Sequence, residues 1–240
     1  VSTQQRLPLR SVVSPTMQPF GAAVHTNAAR FGDHSAQFET IYDRLHCRLQ
    51  VAVFDDVEVR QLTIVNPGTV ARVLDATSYA ELILGPAAAD ASHPAFSKMF
   101  VQTEWIEQGS ILLATRRRRT HDETIVWAAH GVRMHGADSA SSAIEYASDR
   151  AQFLGRGRDL RRAVAMQPGA HLDNSTGSVL DPIFSQRRSF RIMAGTSVTL
   201  AFWTVLADSR DAVLERARAL DATADASPKA SQANTRRLQR

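Results

Sequence analysis

Four carboxylates in the middle of the chain are of the residue type that cleaves glycosidic bonds: Glu104, Glu107, Asp122 and Glu123. A glycosidase needs one carboxyl group as acid and a second as base or nucleophile, held about 5 to 10 Å apart across the sugar. Sequence spacing alone does not establish that separation. Exposed carboxylates in strands usually form the solvated half of an alternating pattern, and we favour that interpretation for these four.

The eight histidines suggest metal binding or proton transfer, but their spacing matches no zinc motif such as His-Glu-x-x-His. We therefore expect structural or surface histidines, no metal and no cofactor. The single Cys47 excludes an intrachain disulfide. The chain also lacks the Gly-x-Ser-x-Gly turn of serine hydrolases, a phosphate-binding glycine loop and a dinucleotide fingerprint. The histidines are His25, His34, His46, His93, His121, His130, His135 and His171.

The run from Arg116 to Arg119 is the strongest local charge feature, and guanidinium groups pair with phosphates and carboxylates through parallel hydrogen bonds. The formal net charge is +4, but from Ala222 onward four basic residues accompany one acidic residue, so the remaining chain is nearly neutral. No aromatic residue interrupts the run. We therefore favour a solvated turn, expect no nucleic acid partner, and keep docking to an acidic protein face as an alternative.

Six tryptophans and tyrosines are candidates for sugar binding, because an aromatic face stacks on the C–H face of a sugar ring. All six lie in predicted strands, where aromatic residues more often pack between sheets. We expect most of them in the core and leave a carbohydrate site open for one or two. They are Tyr42, Tyr79, Trp105, Trp127, Tyr146 and Trp203.

The elements that must position these residues are mainly strands. Apolar and polar residues alternate strictly over residues 44–53, which predicts a half-buried strand. The apolar phase changes within the next run and predicts a β-bulge at Arg60 and Gln61. A third run, over residues 71–84, follows the turn at Asn66-Pro67-Gly68 and suggests a meander with the first two.

At least nine strands are predicted, followed by one amphipathic helix that begins beside Asp208 and Ser209. An antiparallel array with almost no intervening helix must hide its apolar faces between stacked sheets. We therefore predict an all-β fold, a large antiparallel β-sandwich with a C-terminal helix. The predicted division is a sandwich domain at 1–207, a linker helix at 208–221 and a disordered tail at 222–240. No apolar run approaches the ~20 residues of a membrane span, so we expect no membrane insertion.

Several short motifs follow one another in an order that is specific as a set. Together they resemble the sandwich domain that precedes the catalytic barrel in cyclic β-1,2-glucan synthases, within the family 94 group of glycoside hydrolases and phosphorylases. The resemblance extends from about Ser11 to Leu220. The motifs are Ser14-Pro15-Thr16, Asp55-Asp56-Val57-Glu58-Val59-Arg60, Thr77-Ser78-Tyr79-Ala80-Glu81, Pro86-Ala87-Ala88-Ala89-Asp90, His93-Pro94-Ala95-Phe96-Ser97-Lys98, Phe153-Leu154-Gly155-Arg156-Gly157-Arg158 and Leu180-Asp181-Pro182-Ile183-Phe184-Ser185.

The resemblance implies a galactose-mutarotase-like supersandwich, followed by a helical linker and an (α/α)6 barrel that contains the catalytic acid. In the whole synthase, a membrane-embedded glycosyltransferase region builds the β-1,2-glucan and the phosphorylase-like region trims it. This chain resembles the sandwich alone, so the implied role is a noncatalytic, carbohydrate-associated domain in a fragment of a longer protein. The implied partners are β-1,2-glucan or a related oligosaccharide and the catalytic barrel, and the implied location is the cytoplasm, at the inner membrane.

The resemblance also suggests which surface is used. We expect residues 85–98 and residues 153–158 to face the barrel or the glucan. Two alternatives stay open: a free-standing sugar mutarotase, since the same architecture can hold two histidines and a glutamate as acid and base, and an Arg-rich module for an acidic partner. The contact residues expected on the surface are His93, Lys98, Arg156 and Arg158.

Overall fold

The computed structural model describes residues 26–121, 123–136 and 143–223. Its strands form two sheets, and its helices are short apart from the last. The strands are β1 (Thr26–Gly32), β2 (Ser35–Tyr42), β3 (Leu45–Phe54), β4 (Val57–Val65), β5 (Arg72–Thr77), β6 (Ala80–Glu81), β7 (Val101–Ile106), β8 (Ile111–Arg116), β9 (Trp127–His135), β10 (Glu145–Asp149), β11 (Pro182–Ile192) and β12 (Ser197–Ala207). The helices are α1 (Ala87–Ser92), α2 (Pro94–Lys98), α3 (Arg150–Leu154) and α4 (Arg210–Thr223), with 3₁₀ turns at Leu160–Arg162 and Val164–Met166.

The long sheet contains eight strands in the order β1-β2-β3-β4-β12-β9-β8-β7. The short sheet contains β10, β11 and β5, with β6 paired to β11. The strands of both sheets pair in antiparallel fashion. The predicted all-β sandwich with a C-terminal helix is confirmed. The predicted division into domain, linker and tail stays a prediction, and residues 1–25 and 224–240 lie outside the described residues.

Apolar side chains fill three layers, one between the sheets and one outside each sheet. Between the sheets, Phe190 and Ile192 of β11 meet Val198 and Leu200 of β12. The outer side of the short sheet is covered by α3 and the 3₁₀ turns, which pack around Ile183. Helix α4 covers part of the outer side of the long sheet. Successive residues of one strand therefore enter different layers, because side chains alternate across a sheet.

Strand β4 shows why the predicted β-bulge at Arg60 and Gln61 is wrong. The register of β4 with both β3 and β12 continues without a shift from residue 57 to residue 65. Val59 packs on the α4 side of the sheet, whereas Ile64 packs toward the short sheet. The change in apolar phase therefore reflects burial on both faces of one regular strand.

The predicted meander is wrong in its third strand, because β5 leaves the long sheet and pairs with β11, with Arg72 opposite Ile192. The turn after β4 explains the crossing. Asn66 is 3% exposed, and its side-chain amide donates to the carbonyls of Val70 at 2.9 Å and Met193 at 3.2 Å. These hydrogen bonds satisfy a buried amide and hold the chain where it passes from one sheet to the other.

Helix α4 begins beside the residues that the sequence indicates. Ser209 caps its first turn, since the Oγ of Ser209 accepts a hydrogen bond from the Ala212 N–H at 3.3 Å. Val213 and Ala217 are fully buried against the long sheet, which explains why the helix packs there rather than projecting into solvent. No helix in the described part of the chain is long and apolar enough to cross a membrane.

Candidate functional site

Motifs that are far apart in the sequence meet in one ion-pair network beside the short sheet. Lys98 Nζ lies 2.8 Å from Asp181 Oδ1 and 3.7 Å from Glu81 Oε2. Arg150 Nε lies 3.0 Å from Glu81 Oε1, and Arg150 Nη1 lies 3.2 Å from Asp181 Oδ2. The Tyr79 hydroxyl donates to Glu81 at 2.9 Å. Two cations and two carboxylates thus join α2, α3, β6 and the start of β11.

Helix α3 is fixed beside this network at its first turn. The Asp149 side chain is the N-cap and accepts a hydrogen bond from the Ala151 N–H at 2.8 Å. The backbone N–H of Arg150 donates to the carbonyl of Asp181 at 3.0 Å. Backbone and side chain of Arg150 therefore both bond to Asp181, so the start of β11 sets the position of α3.

The end of α3 is held by packing. The rings of Phe153 and Tyr79 lie 5.1 Å apart between centroids, and Phe153 is 3% exposed. The chain then bends at Gly155, which has φ 82°, and a Cβ at this position would clash with Val164. Residues 156–158, which follow the bend, are exposed to solvent.

Two groups of the network, Lys98 and Tyr79, have raised pKa values. Burial alone would lower the pKa of Lys98, but the hydrogen bond and charge of Asp181 outweigh burial and raise that pKa. Burial and the hydrogen bond to Glu81 raise the pKa of Tyr79 to about 12. Both shifts lead away from neutral pH, so neither group is suited to exchange protons during catalysis. The arrangement serves to hold surface elements in position.

Of the four residues expected to make contacts, the structure brings Lys98 into the network. His93 is exposed at the junction of α1 and α2. Arg156 and Arg158 are exposed beyond α3, and Arg158 Nη1 donates to the carbonyl of Arg162 at 3.3 Å. Within residues 26–121, 123–136 and 143–223, no hydrogen bond or ion pair joins these three residues to the network. Their role as contact residues stays a prediction.

We call the network, together with residues 87–98 and residues 150–158, the platform. Sequence reasoning missed three of its members. Glu81 and Asp181 stand in quoted motifs without an assigned role, and Arg150 lies outside every quoted motif. The available signal was that two of these charged residues fall inside motifs shared with one family.

The arginine run differs from the solvated turn that we expected. Arg116 is 8% exposed, and its Nη1 lies 3.0 Å from Glu123 Oε2. The guanidinium of Arg119 lies 4.9 Å from the ring centroid of Phe96 and 5.5 Å from that of Phe100. The expectation is therefore wrong for Arg116. Aromatic partners for the run are supplied by α2 and the residues after it, so the run borders the platform.

A serine–histidine pair lies between the two sheets. Ser78 Oγ is 2.8 Å from His130 Nε2, and Thr204 Oγ1 is 3.0 Å from His130 Nδ1. His130 is 4% exposed and stacks on Phe184 at 5.7 Å, and burial lowers its pKa to about 4. A nucleophilic serine requires a histidine oriented by a third group and reachable by substrate. Here the third group is a hydroxyl and the ring is enclosed, so His130 is structural, as expected.

Three of the four carboxylates that suggested glycosidase chemistry bond to neighbouring side chains, Glu123 to Arg116 as described above. Glu104 Oε1 lies 2.8 Å from Arg210 Nη2. Glu107 accepts a hydrogen bond from the indole N–H of Trp105 at 2.8 Å. Asp122 lies outside the described residues. No group of three or more histidine, cysteine, aspartate or glutamate side chains among the described residues is arranged to hold a metal ion.

The aromatic residues divide between core and surface. Trp203 is 2% exposed, as expected for a core residue. Trp105 stacks on Tyr146 with ring centroids 4.0 Å apart, at the edge where β7 and β10 approach each other. Tyr79 belongs to the platform and lies between β5 and β6 rather than in a strand. Trp127 lines a groove on the outer side of the long sheet.

A family model and a curated relative agree with the sandwich fold and with the motifs. Residues 9–222 match the family described as "Glycosyl hydrolase 94, supersandwich domain". The "Cyclic beta-(1,2)-glucan synthase NdvB" of Rhizobium meliloti (strain 1021) is 38% identical over 202 residues, covering 83% of this chain. The chain spans 7% of the length of that curated relative. A solved structure of a polysaccharide lyase aligns with a TM-score of 0.41 at 12% identity, covering 84% of this chain and 29% of the lyase chain.

Proposed function

Because the chain belongs to the glycosyl hydrolase 94 supersandwich family, we propose that it is a noncatalytic, carbohydrate-associated domain of a glucan synthase or glycoside phosphorylase. In this role the platform packs on an (α/α)6 catalytic barrel and forms one side of its glucan groove. The reaction centre lies in the barrel. The proposed location is the cytoplasmic face of the inner membrane, where a cyclic β-1,2-glucan synthase would trim its product.

The ion-pair network is the observation that carries this proposal. It joins three of the family motifs, although Lys98 and Asp181 are 83 residues apart in the chain. The pKa values of Lys98 and Tyr79 are shifted away from neutral, so these groups suit positioning and not proton transfer. A rigid base that exposes Arg156 and Arg158 is what a supporting domain requires at a contact with another domain.

The charge of the platform indicates the chemistry of the matching surface. Arg156 and Arg158 are exposed, and Arg117, Arg118 and Arg119 extend the positive charge along its border. An acidic face on the barrel complements this surface, since paired charges steer two domains into one orientation. The Arg-rich module for an acidic partner, which was kept as an alternative, is therefore part of the same proposal.

Charge reversal tests the platform directly. The chain is produced together with the barrel region of a cyclic β-1,2-glucan synthase that lacks its own sandwich domain, and copurification is measured. We expect the wild-type chain to copurify and the double variant Arg156→Glu/Arg158→Glu to lose the association. Arg191→Glu is the matched control, because Arg191 is an exposed arginine on β11, away from the platform. Copurification that is unchanged in the double variant would contradict the proposal.

A further inference from the structure

A groove of about 290 Å³ lies on the outer face of the long sheet, which is the face opposite to the one that packs on the short sheet. Its floor is formed by β7, β8 and the start of β9. The register places Gln102 opposite Thr115 and Thr115 opposite Trp127, so these three side chains share one face of the sheet. Leu113, which is fully buried, completes the floor.

A short extended segment forms one wall of the groove. Gly177 bonds to the edge of β7: its carbonyl accepts from the Thr103 N–H at 2.9 Å, and its N–H donates to Thr103 Oγ1 at 2.9 Å. Ser178 forms an isolated antiparallel bridge with Gln102. The wall is therefore fixed by backbone hydrogen bonds, so the groove is part of the folded structure and does not depend on a ligand.

The polar groups of the groove retain hydrogen-bonding capacity. Thr115 donates to the carbonyl of Val126 at 3.1 Å and keeps its own oxygen as an acceptor. The Gln102 amide reaches Ser178 at 3.4 Å, a weak contact that a ligand hydroxyl can replace. Glu104 binds Arg210 through Oε1, and Oε2 accepts no hydrogen bond from the described residues.

These groups select for a neutral, hydroxylated ligand. The Trp127 indole offers a flat apolar face, and the amide, carboxylate and hydroxyl groups offer planar or rotatable hydrogen bonds to neighbouring hydroxyls. The Glu104 carboxylate would repel a phosphate or carboxylate ligand. The Arg210 guanidinium is already paired with that carboxylate. A volume of about 290 Å³ lies at the small end of ligand sites, which suits one ring of a longer chain.

We propose that this groove binds one sugar ring of a neutral oligosaccharide, with the ring on Trp127 and its hydroxyls on Gln102, Glu104 and Thr115. The choice of β-1,2-glucan as the ligand rests on the proposed function. None of the residues that line the groove belongs to the platform, so the groove is a second sugar site, separate from the glucan groove that the platform forms with the barrel.

Calorimetric titration of the whole chain with a β-1,2-gluco-oligosaccharide tests the groove. We expect Glu104→Gln and Gln102→Ala each to weaken binding about tenfold, as for a hydrogen bond to a charged or buried group, and Trp127→Ala to weaken it at least as much. Glu107→Gln is the matched control, because Glu107 is also exposed and lies just after β7. Circular dichroism checks each fold, and the two polar variants decide the result if Trp127→Ala unfolds.

Two results would overturn the inference. Dissociation constants of Glu104→Gln and Gln102→Ala that stay within about twofold of the wild-type value would place the sugar elsewhere. Absence of binding by the wild-type chain up to about 10 mM sugar would exclude the groove as a sugar site. Neither result affects the copurification with the barrel region, so failure of the groove and failure of the platform are distinguishable.

Discussion

Ser78 and Tyr79 are neighbours in the chain, but their side chains enter opposite environments. The oxygen of Ser78 lies between the sheets, where it accepts from the Gln186 N–H at 2.9 Å and lies 2.8 Å from the His130 ring. Tyr79 lies on the outer side, beside the Arg150 side chain, which is 35% exposed. We call the buried hydrogen bonds of Ser78 with His130 and Gln186 the bridge. One motif therefore supplies both this uncharged bridge between the sheets and part of the half-exposed ion-pair network.

Because their environments differ, the hydrogen bonds of Ser78 and those of Tyr79 contribute differently to the free energy of unfolding. In the interior, a polar group that loses its partner cannot reach water, so the bridge contributes strongly to the free energy of unfolding. At the surface, water and ions weaken each ion pair, so the network contributes little to that free energy. The network can still determine where α2 and α3 lie. We infer that the bridge holds the sheets together and that the network positions the platform.

Removal of the Ser78 hydroxyl should have the largest effect on stability. Ser78→Ala leaves the His130 ring and the Gln186 N–H without their partner, and we expect the free energy of unfolding in urea to fall by about 3 kcal/mol. Ser175→Ala, which removes an exposed hydroxyl bonded to Asp173, is the matched control and should change it by less than about 0.5 kcal/mol. A loss below about 1 kcal/mol for Ser78→Ala would show that the bridge is dispensable.

Mild acid should weaken the bridge before it affects the carboxylates. His130 has a pKa of about 4 in the folded chain against an ordinary value of 6.5, so the unfolded chain binds the proton first. Stability is therefore full above pH 6.5 and falls between pH 6.5 and pH 4, by on the order of 3 kcal/mol in total. Glu123 and Glu145 have lowered pKa values, so their contributions are lost only below about pH 4.5.

Urea denaturation at pH 7 and at about pH 4.5 measures this loss. His130→Gln is the matched variant, because it keeps a polar side chain but cannot titrate in this range. We expect most of the pH dependence to disappear in that variant. An equal pH dependence in the two proteins would assign the loss to another group.

Removal of Arg150 should have a smaller effect on stability than removal of Ser78. We expect Arg150→Ala to lower the free energy of unfolding by about 1 kcal/mol, since its partners are half-exposed. The amides of α3 should exchange with deuterium faster, because the side chain no longer ties α3 to Glu81 and Asp181. Arg162→Ala is the control, since the Arg162 side chain is 74% exposed beside Asp159. A loss above about 3 kcal/mol would mean that the network holds the fold itself.

Charge reversal on the platform should have the smallest effect on stability. We expect Arg156→Glu/Arg158→Glu to change the free energy of unfolding by less than about 0.5 kcal/mol, since both side chains are exposed. The same variant should lose the association with the barrel region. Arg191→Glu serves again as the control. Destabilisation by more than about 1 kcal/mol would place these arginines among the residues that stabilise the fold.

Local patterns predict the strands well where one face is buried. Residues 44–53 alternate strictly, and β3 (Leu45–Phe54) lies at that position. The same reasoning fails at β4, because α4 covers one face and the short sheet covers the other. It also fails for the pairing of β5 with β11, because the two strands are more than a hundred residues apart, and no local pattern specifies such a partner.

The candidate site was predicted only in part for the same reason. The motifs mark the segments of the platform, but the ion pairs that join them depend on long-range pairing of β6 with β11. Asp181 therefore has no assigned role in the sequence and becomes a partner of two cations in the fold. The same holds for the arginine run. Its aromatic neighbour Phe96 belongs to α2, so the residues of the run alone do not predict this contact.

Incubation of the purified chain with a β-1,2-gluco-oligosaccharide and inorganic phosphate tests the central claim most directly. If the chain is a supporting domain for a reaction centre in the barrel, no sugar phosphate forms, whereas the oligosaccharide still binds. Formation of sugar phosphate by the chain alone, at a rate that Glu104→Gln or a substitution at Glu81 abolishes, would contradict the claim.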